Sequence, residues 1–185
     1  SGKQTDGVSA GGDVVISAKD STDIIAIAGG LSIAGAAGQG AGSVGGFGAC
    51  VAVNVIVSTV RATIADSTVD SAGAVSLTAS SDALIWTMAI AGAGIGTGAQ
   101  GGGLVISVGG SGAVNVVKNT TEALIVNSTV TSGNAGAVTL SATDHTDIVA
   151  NAGGVDVSVA AGSAAGIAGG GSLAVAINII ENDIF

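Results

Sequence analysis

His145, the single histidine of the chain, stands in "ATDHTD" between Asp144 and Asp147. One imidazole and two carboxylates fall short of the four ligands of a closed zinc site, and two related segments elsewhere in the chain lack the histidine. His145 therefore reads as a solvated turn residue. Cys50, in "FGACVAV", lies among small residues on an alternating stretch and reads as a small hydrophobe, because no partner base accompanies it. The acids gather where strands are expected to end: Asp20 and Asp23, Asp66 and Asp70, Asp82, then Asp144 and Asp147. Turn carboxylates accept hydrogen bonds from nearby backbone donors. The sharper chemistry would be calcium, which takes 6–8 oxygens. Asp20, Asp23, Asp144 and Asp147 are its weak candidates, since the Gly-Gly-x-Gly-x-Asp nonapeptide is represented only by the fragment "AGGDVVIS".

Other motifs carry less. "GAGIGTGAQGGG" (92–103) has the glycine spacing of a nucleotide loop but neither a Lys-Ser/Thr pair nor an acid about 20 residues on. Asn119 and Asn127 head Asn-x-Ser/Thr sequons. Trp86, the one aromatic candidate for stacking on a glycan, reads as core. The paired acids sit at expected turns and vary along the chain, unlike the fixed carboxylate pair of a glycosidase. No catalytic, cofactor-binding or metal-ligating residue is assigned, and a non-enzyme is expected.

The elements that carry these residues have an unusual composition. Of 185 residues 33 are Gly, none is Pro or Tyr, and only 9% are charged, against roughly 25% in ordinary soluble domains. The apolar residues are Val, Ile and Ala, which argues against disorder. Thirteen acids oppose four bases, Lys3, Lys19, Arg61 and Lys118. This excludes the basic stripe that nucleic acid requires and the polybasic patch that anionic lipid requires. Three charge-free windows, Ile24–Val60, Ala83–Val117 and Val157–Ile180, have the length of a membrane helix. Their many glycines, and the lack of basic flanks and aromatic belts, predict no membrane span.

Repetition organises the chain. "VSAGGDVVISA" from Val8, "VDSAGAVSLTA" from Val69 and "VTSGNAGAVTLSA" from Val130 are versions of one segment, each 61 residues after the last. Asn54, Asn115 and Asn178 recur in "AVNV", "AVNV" and "AINI" at spacings of 61 and 63, so the third copy carries two extra residues in its "TSGNAGA" turn. The chain reads as a single array of copies at about 8–68, 69–129 and 130–185. The last is cut short inside an expected strand, as in a fragment of a longer array or an end completed by another chain.

Within each copy, β-branched residues at period two predict strands at 13–18, 23–28, 51–57 and 60–65, with counterparts in the later copies. The Gly/Ala tract at 29–49 is expected to be extended as well, because glycine disfavours helix and a structureless loop of that length is rare. Between Val51, Val53, Val55 and Val57 on one parity and Val60, Ala62 and Ile64 on the other, the apolar alternation slips. A corner or bulge at Val57, Ser58 and Thr59 is expected there. Those three, with Ile184 and Phe185 at the unfinished strand, are the candidate assembly residues.

One copy has too few large apolar residues to offset the ordering of its backbone, at about 1–2 kcal/mol per residue. In-register stacking solves this and predicts an all-β β-solenoid, with about three coils of roughly 20 residues per copy. A β-sandwich is the alternative. The phrases "TVRATIADSTVDSAGAVSLTASSDALI" and "AVNVVKNTTEALIVNSTVTSGNAGAVTLSATDHTDIVANAGG" resemble repeat regions of giant secreted bacterial surface proteins. These are the filamentous-haemagglutinin-like adhesins and large leukotoxin-type exoproteins, and the resemblance extends over essentially the whole chain. It implies a right-handed β-helical stalk, secreted or at the cell surface, used in adhesion or matrix building and lacking catalytic residues. The expected function is a structural segment of a filament, stalk or surface layer that self-associates or continues in a longer chain. A binding module contacting glycan or protein on another cell is the second reading.

Overall fold

Strand periodicity runs much further along the chain than the short segments above. The computed structural model describes residues 7–133 and 136–185, and among them the chain is all-β. The strands are β1 (Gly7–Ala10), β2 (Val14–Gly38), β3 (Gly42–Ala65), β4 (Thr68–Ser71), β5 (Val75–Ala99), β6 (Gly103–Val126), β7 (Thr129–Thr131), β8 (Val138–Ala160) and β9 (Ile167–Ile184). They form three parallel sheets, ordered β1-β4-β7, β2-β5-β8 and β3-β6-β9. No helix among the described residues is long and apolar enough to cross a membrane.

Each copy thus supplies one strand to each sheet, and every strand pairs with its own counterpart one copy away. Val8 lies beside Val69 and Val69 beside Val130, while Asn54, Asn115 and Asn178 form one row across their sheet. The offset grows from 61 to 63 between Val130 and Val138. Asn134 and Ala135, within the turn that holds the insertion, lie outside the described residues. A copy is therefore one layer, or rung, and is not subdivided into three coils. Two strands of 24 or 25 residues replace the expected short pieces, because the Gly/Ala tract joins them instead of separating them.

The corner expected at Val57–Thr59 is absent. β3 is unbroken from Gly42 to Ala65, and its even-numbered side chains face inward along its whole length. What changes at residue 58 is the chemistry of the two faces. Val51, Val53, Val55 and Val57 point outward and are exposed, whereas Val60, Ala62 and Ile64 point inward and are buried. The true corner follows at Asp66-Ser67 and, one rung on, at Asn127-Ser128. Asp66 and Asn127 both take φ of 49°, a left-handed conformation that these two residue types tolerate. Ser67 and Ser128 each donate to the carbonyl two residues back, at 2.7 Å.

The interior narrows from this corner to a pinch short of the opposite edge, the tip, where β2 turns into β3 and β5 into β6; between pinch and tip Ile95 and Val105 are again buried. Near the corner the short third sheet helps to enclose Val60, Ile64, Val69, Val75 and Leu77. Further out the fill shrinks to Ile56, Ile85 and Val117, and then to Ala52, Ala89 and Ala113, against which Cys50 packs. Beyond that the two long sheets nearly touch. A Cβ at Gly48 would lie 2.2 Å from the Gly92 carbonyl oxygen, and one at Gly30 would lie 2.3 Å from that of Ala49. Glycine here is required by the approach of two backbones. Gly48→Ala is expected to force the sheets apart at a cost of about 1–3 kcal/mol. Gly98→Ala, whose Cβ meets nothing within 4 Å, should stay within about 0.5 kcal/mol of the parent. Chemical denaturation of the two variants checks this, and equal stabilities would refute the close-approach account.

Candidate assembly surfaces

Stacking identical residues in a parallel sheet turns each recurring side chain into a row, and the most ordered row is made of asparagines. Asn54 Nδ2 donates to Asn115 Oδ1 at 2.8 Å, and Asn115 Nδ2 donates to Asn178 Oδ1 at 2.9 Å. Thr87, from the facing sheet, accepts from Asn54 at 2.7 Å and donates to Asn115 Oδ1 at 2.8 Å. Asn115 and Thr87 are fully buried. The row ties the two long sheets together at the level where the aliphatic core gives out.

Charged rows behave differently, since like charges one strand apart repel. Arg61 pairs with Glu122, Lys118 with Glu181 at 3.2 Å, and Lys19 with Asp82 at 3.2 Å, each across one rung. Hydrogen bonding and attraction by Glu122 raise the Arg61 guanidinium above its ordinary pKa. His145 lies in mid-strand on the outer face of β8, 3.4 Å from Asp147, and is not a turn residue.

Of the acids expected at turns, Asp66 forms the corner and Asp70 lies in short β4, whereas Asp20, Asp23, Asp82, Asp144 and Asp147 lie within the long strands, and the calcium candidates divide between two faces. Asp20 points inward and accepts from Ser58 at 2.7 Å and Thr22 at 3.2 Å. Asp144, also inward, accepts from Thr146 at 2.7 Å, Asn119 at 3.1 Å and Asn182. Asp23 and Asp147 point outward on the same sheet. Serine, threonine and asparagine donors thus satisfy the inward pair, and the four carboxylates are not brought to one centre. Among the described residues no group of three or more His, Cys, Asp or Glu is placed to hold a metal. Asn119 is buried, which removes it as a glycan acceptor, whereas Asn127 lies exposed at the corner.

Of the assembly candidates, Val57 and Thr59 are exposed on the outer face, and Ser58 is engaged inward with Asp20. Ile184 ends β9, and the backbone of Phe185 continues its pairing through bonds to Thr121 and Ala123 at 3.0 and 2.9 Å. Trp86 is not core: it lies on the outer face of β5 between Ile25 and Val149.

Two features escaped the sequence reading. The first is Asp156, which faces inward near the tip with both carboxylate oxygens buried and without a hydrogen-bond partner among the described residues. Its counterparts in the other rungs are Ser32 and Ala93, and that substitution of an acid into a small-residue row was the available signal. The second is the apolar outer surface of the tip half. Ile25, Ile27, Leu31 and Ile33 on one face, and Phe47 and Val51 on the other, are each about two-thirds exposed or more. The slip of parity at Val57–Val60 was its trace in the sequence.

Compared with family models, curated proteins and solved structures, the chain matches none. The class that fold and surfaces define is an all-β stack of parallel strands with one 61-residue copy per rung, its recurrent features being rows, edges and an apolar exterior. Two substitutions check the account of the interior. Asn115→Ala removes the acceptor shared by Asn54 and buried Thr87 and should cost about 1–3 kcal/mol. Asp156→Ser, restoring the residue of the first rung, should raise stability by about 1 kcal/mol or more. Thermal denaturation reads both, and an unchanged or lowered melting point for Asp156→Ser would show that its carboxylate is satisfied.

Proposed function

We propose that the chain is a non-catalytic structural segment, a β-solenoid of secreted or cell-surface type that extends into a filament, stalk or surface layer. The observation that carries this reading is the edge structure of the stack. β2 and β3 at one end, and β8 and β9 at the other, each present a long edge unpaired along one side. Such edges template further strands. The two ends are copies of one another, so β8 and β9 of one unit can receive β2 and β3 of the next in the register already used within the chain. The asparagine row would continue through such a junction, since Asn54 heads it and Asn178 ends it. The next rung is supplied either by the same polypeptide or by another copy. The similarity of the repeats to adhesin and exoprotein stalks supports the extracellular setting and the right-handed winding.

A second reading, an adhesin module that binds glycan, is favoured by the outward position of Trp86 alone. A glycan array without hits removes it. Growth along the stack is tested by electron microscopy and fibre diffraction of concentrated protein. The expected outcome is elongated particles with a repeat of about 4.8 Å along their axis. A strictly monomeric particle at all concentrations would overturn the proposal.

A further inference from the structure

Charged side chains obey one rule through the stack: among the described residues, no paired position within the chain sets like charges side by side. Asp20 is followed in its row by Ser81 and Asp23 by Leu84, while Arg61 meets Glu122, Lys118 meets Glu181 and Asp82 meets His145. Like charges directly opposite one another weaken a sheet, so the rule has a physical cause. The two edges of the stack break it when they are brought together.

When β2 and β3 of one copy add to β8 and β9 of another, the interior fixes their register. Val14 falls beside Val138, Ile16 beside Leu140, Ile24 beside Ile148, Ile56 beside Ile180 and Asn54 beside Asn178, each pair continuing a row already built within the chain. A slip of one residue would turn every side chain over, and a slip of two would part the asparagines. The same register sets Asp20 beside Asp144, both facing inward, and Asp23 beside Asp147, both facing outward. Adjacent strands lie about 4.8 Å apart, so these acids form an inner and an outer like-charged pair at one junction.

Nothing nearby offsets the two pairs. Asp20 already accepts from Ser58 and Thr22, and Asp144 from Thr146, Asn119 and Asn182. Asn182 and Ser58 would become neighbours at the junction, but each is spent on the carboxylate of its own chain. Lys19 points outward and is held 3.2 Å from Asp82, while Arg61 and Lys118 are held by glutamates. His145 lies 3.4 Å from Asp147 and is charged only when protonated. The inner pair would be enclosed between two sheets, where salt screens least. Asp156 adds no attraction: its row would continue to Ser32, yet both its oxygens are turned back toward Gly109 of the middle rung.

We propose that each edge is matched to a rung with neutral residues where the junction would otherwise set acid on acid, and that the two aspartate pairs hold back the joining of identical copies. The β8-β9 edge fits a rung that is neutral at the positions of Asp20 and Asp23, as the middle copy is with Ser81 and Leu84. The β2-β3 edge fits a rung neutral at the positions of Asp144 and Asp147, again as the middle copy is. The partner is therefore a related repeat of different sequence, not a second copy of this chain. This inference rests on the filament reading and names which rung the edges select. Repulsion between mismatched partners gives a stack specificity that shared aliphatic and asparagine rows cannot.

Axial growth of the whole chain tests this, measured in EDTA so that no divalent cation bridges the carboxylates. Asp144→Asn/Asp147→Asn neutralises one member of each pair without changing its shape, and Asp20→Asn/Asp23→Asn neutralises the other. Either variant should keep the circular dichroism of the parent and grow with the repeat of about 4.8 Å at about a tenth of the protein concentration that the parent needs. Neutralising either member relieves a pair, so combining the two sets should gain less than about threefold more. Asp70→Asn/Asp183→Asn removes the same charge away from both pairs and should grow like the parent. Parent protein that grows as readily as the neutral variants would overturn the inference and leave the filament reading in place. So would an equal gain in the Asp70/Asp183 variant, or additive gains from the two sets. Absence of axial growth from the parent and from every variant would overturn both.

Discussion

In-register parallel pairing between copies is the constraint on which the rest of this molecule depends. Along the long strands, backbone hydrogen bonds run to the equivalent strand one copy away, so an offset of 61 residues, or 63, is imposed on every side chain at once. What one copy places on a face, the next places about 4.8 Å above it. The aliphatic rows and the asparagine row gain from this, because like groups of those kinds pack or hydrogen-bond with one another. Charge cannot be repeated in the same way. Asp23 and Asp147 are separated in their row by Leu84, Asp20 and Asp144 by Ser81, and Arg61 and Lys118 each meet a glutamate. The copies therefore diverge most where repetition would be penalised.

A second consequence follows from the taper. At the corner end three sheets enclose a conventional aliphatic interior under a polar exterior. Toward the tip only two sheets remain, and where they pinch together at Gly30, Gly48 and Gly92 the interior accepts only small residues; Ile95 and Val105 are buried beyond the pinch, while many other large apolar side chains of this half point outward. Valine and isoleucine still suit the strand there, since β propensity rewards their shape on either face. The outcome is an exterior that water does not solvate well, on both faces and at the same height. Contiguous exposed apolar surface on this scale marks contact with something else.

Much of this was legible in the residues. The 61-residue period, the strand content, the extended state of the glycine tract and the row of asparagines all follow from local pattern and from repetition. The parity slip at Val57–Val60 was legible as well, yet its meaning was not. A change of apolar parity marks either a bend in the chain or an exchange of chemistry between the faces of a straight strand, and period alone does not separate them. The same ambiguity placed Trp86 inside and, Asp66 apart, the acids at turns.

The sequence by itself determined that the copies must stack and which residues share a row, because register in a parallel sheet is fixed by the repeat length. Only the tertiary structure decided that a copy is one rung and not three coils. The reason is the separation of the two long sheets, which decides whether a glycine tract is a loop or a wall and whether its valines belong to a core or to a surface.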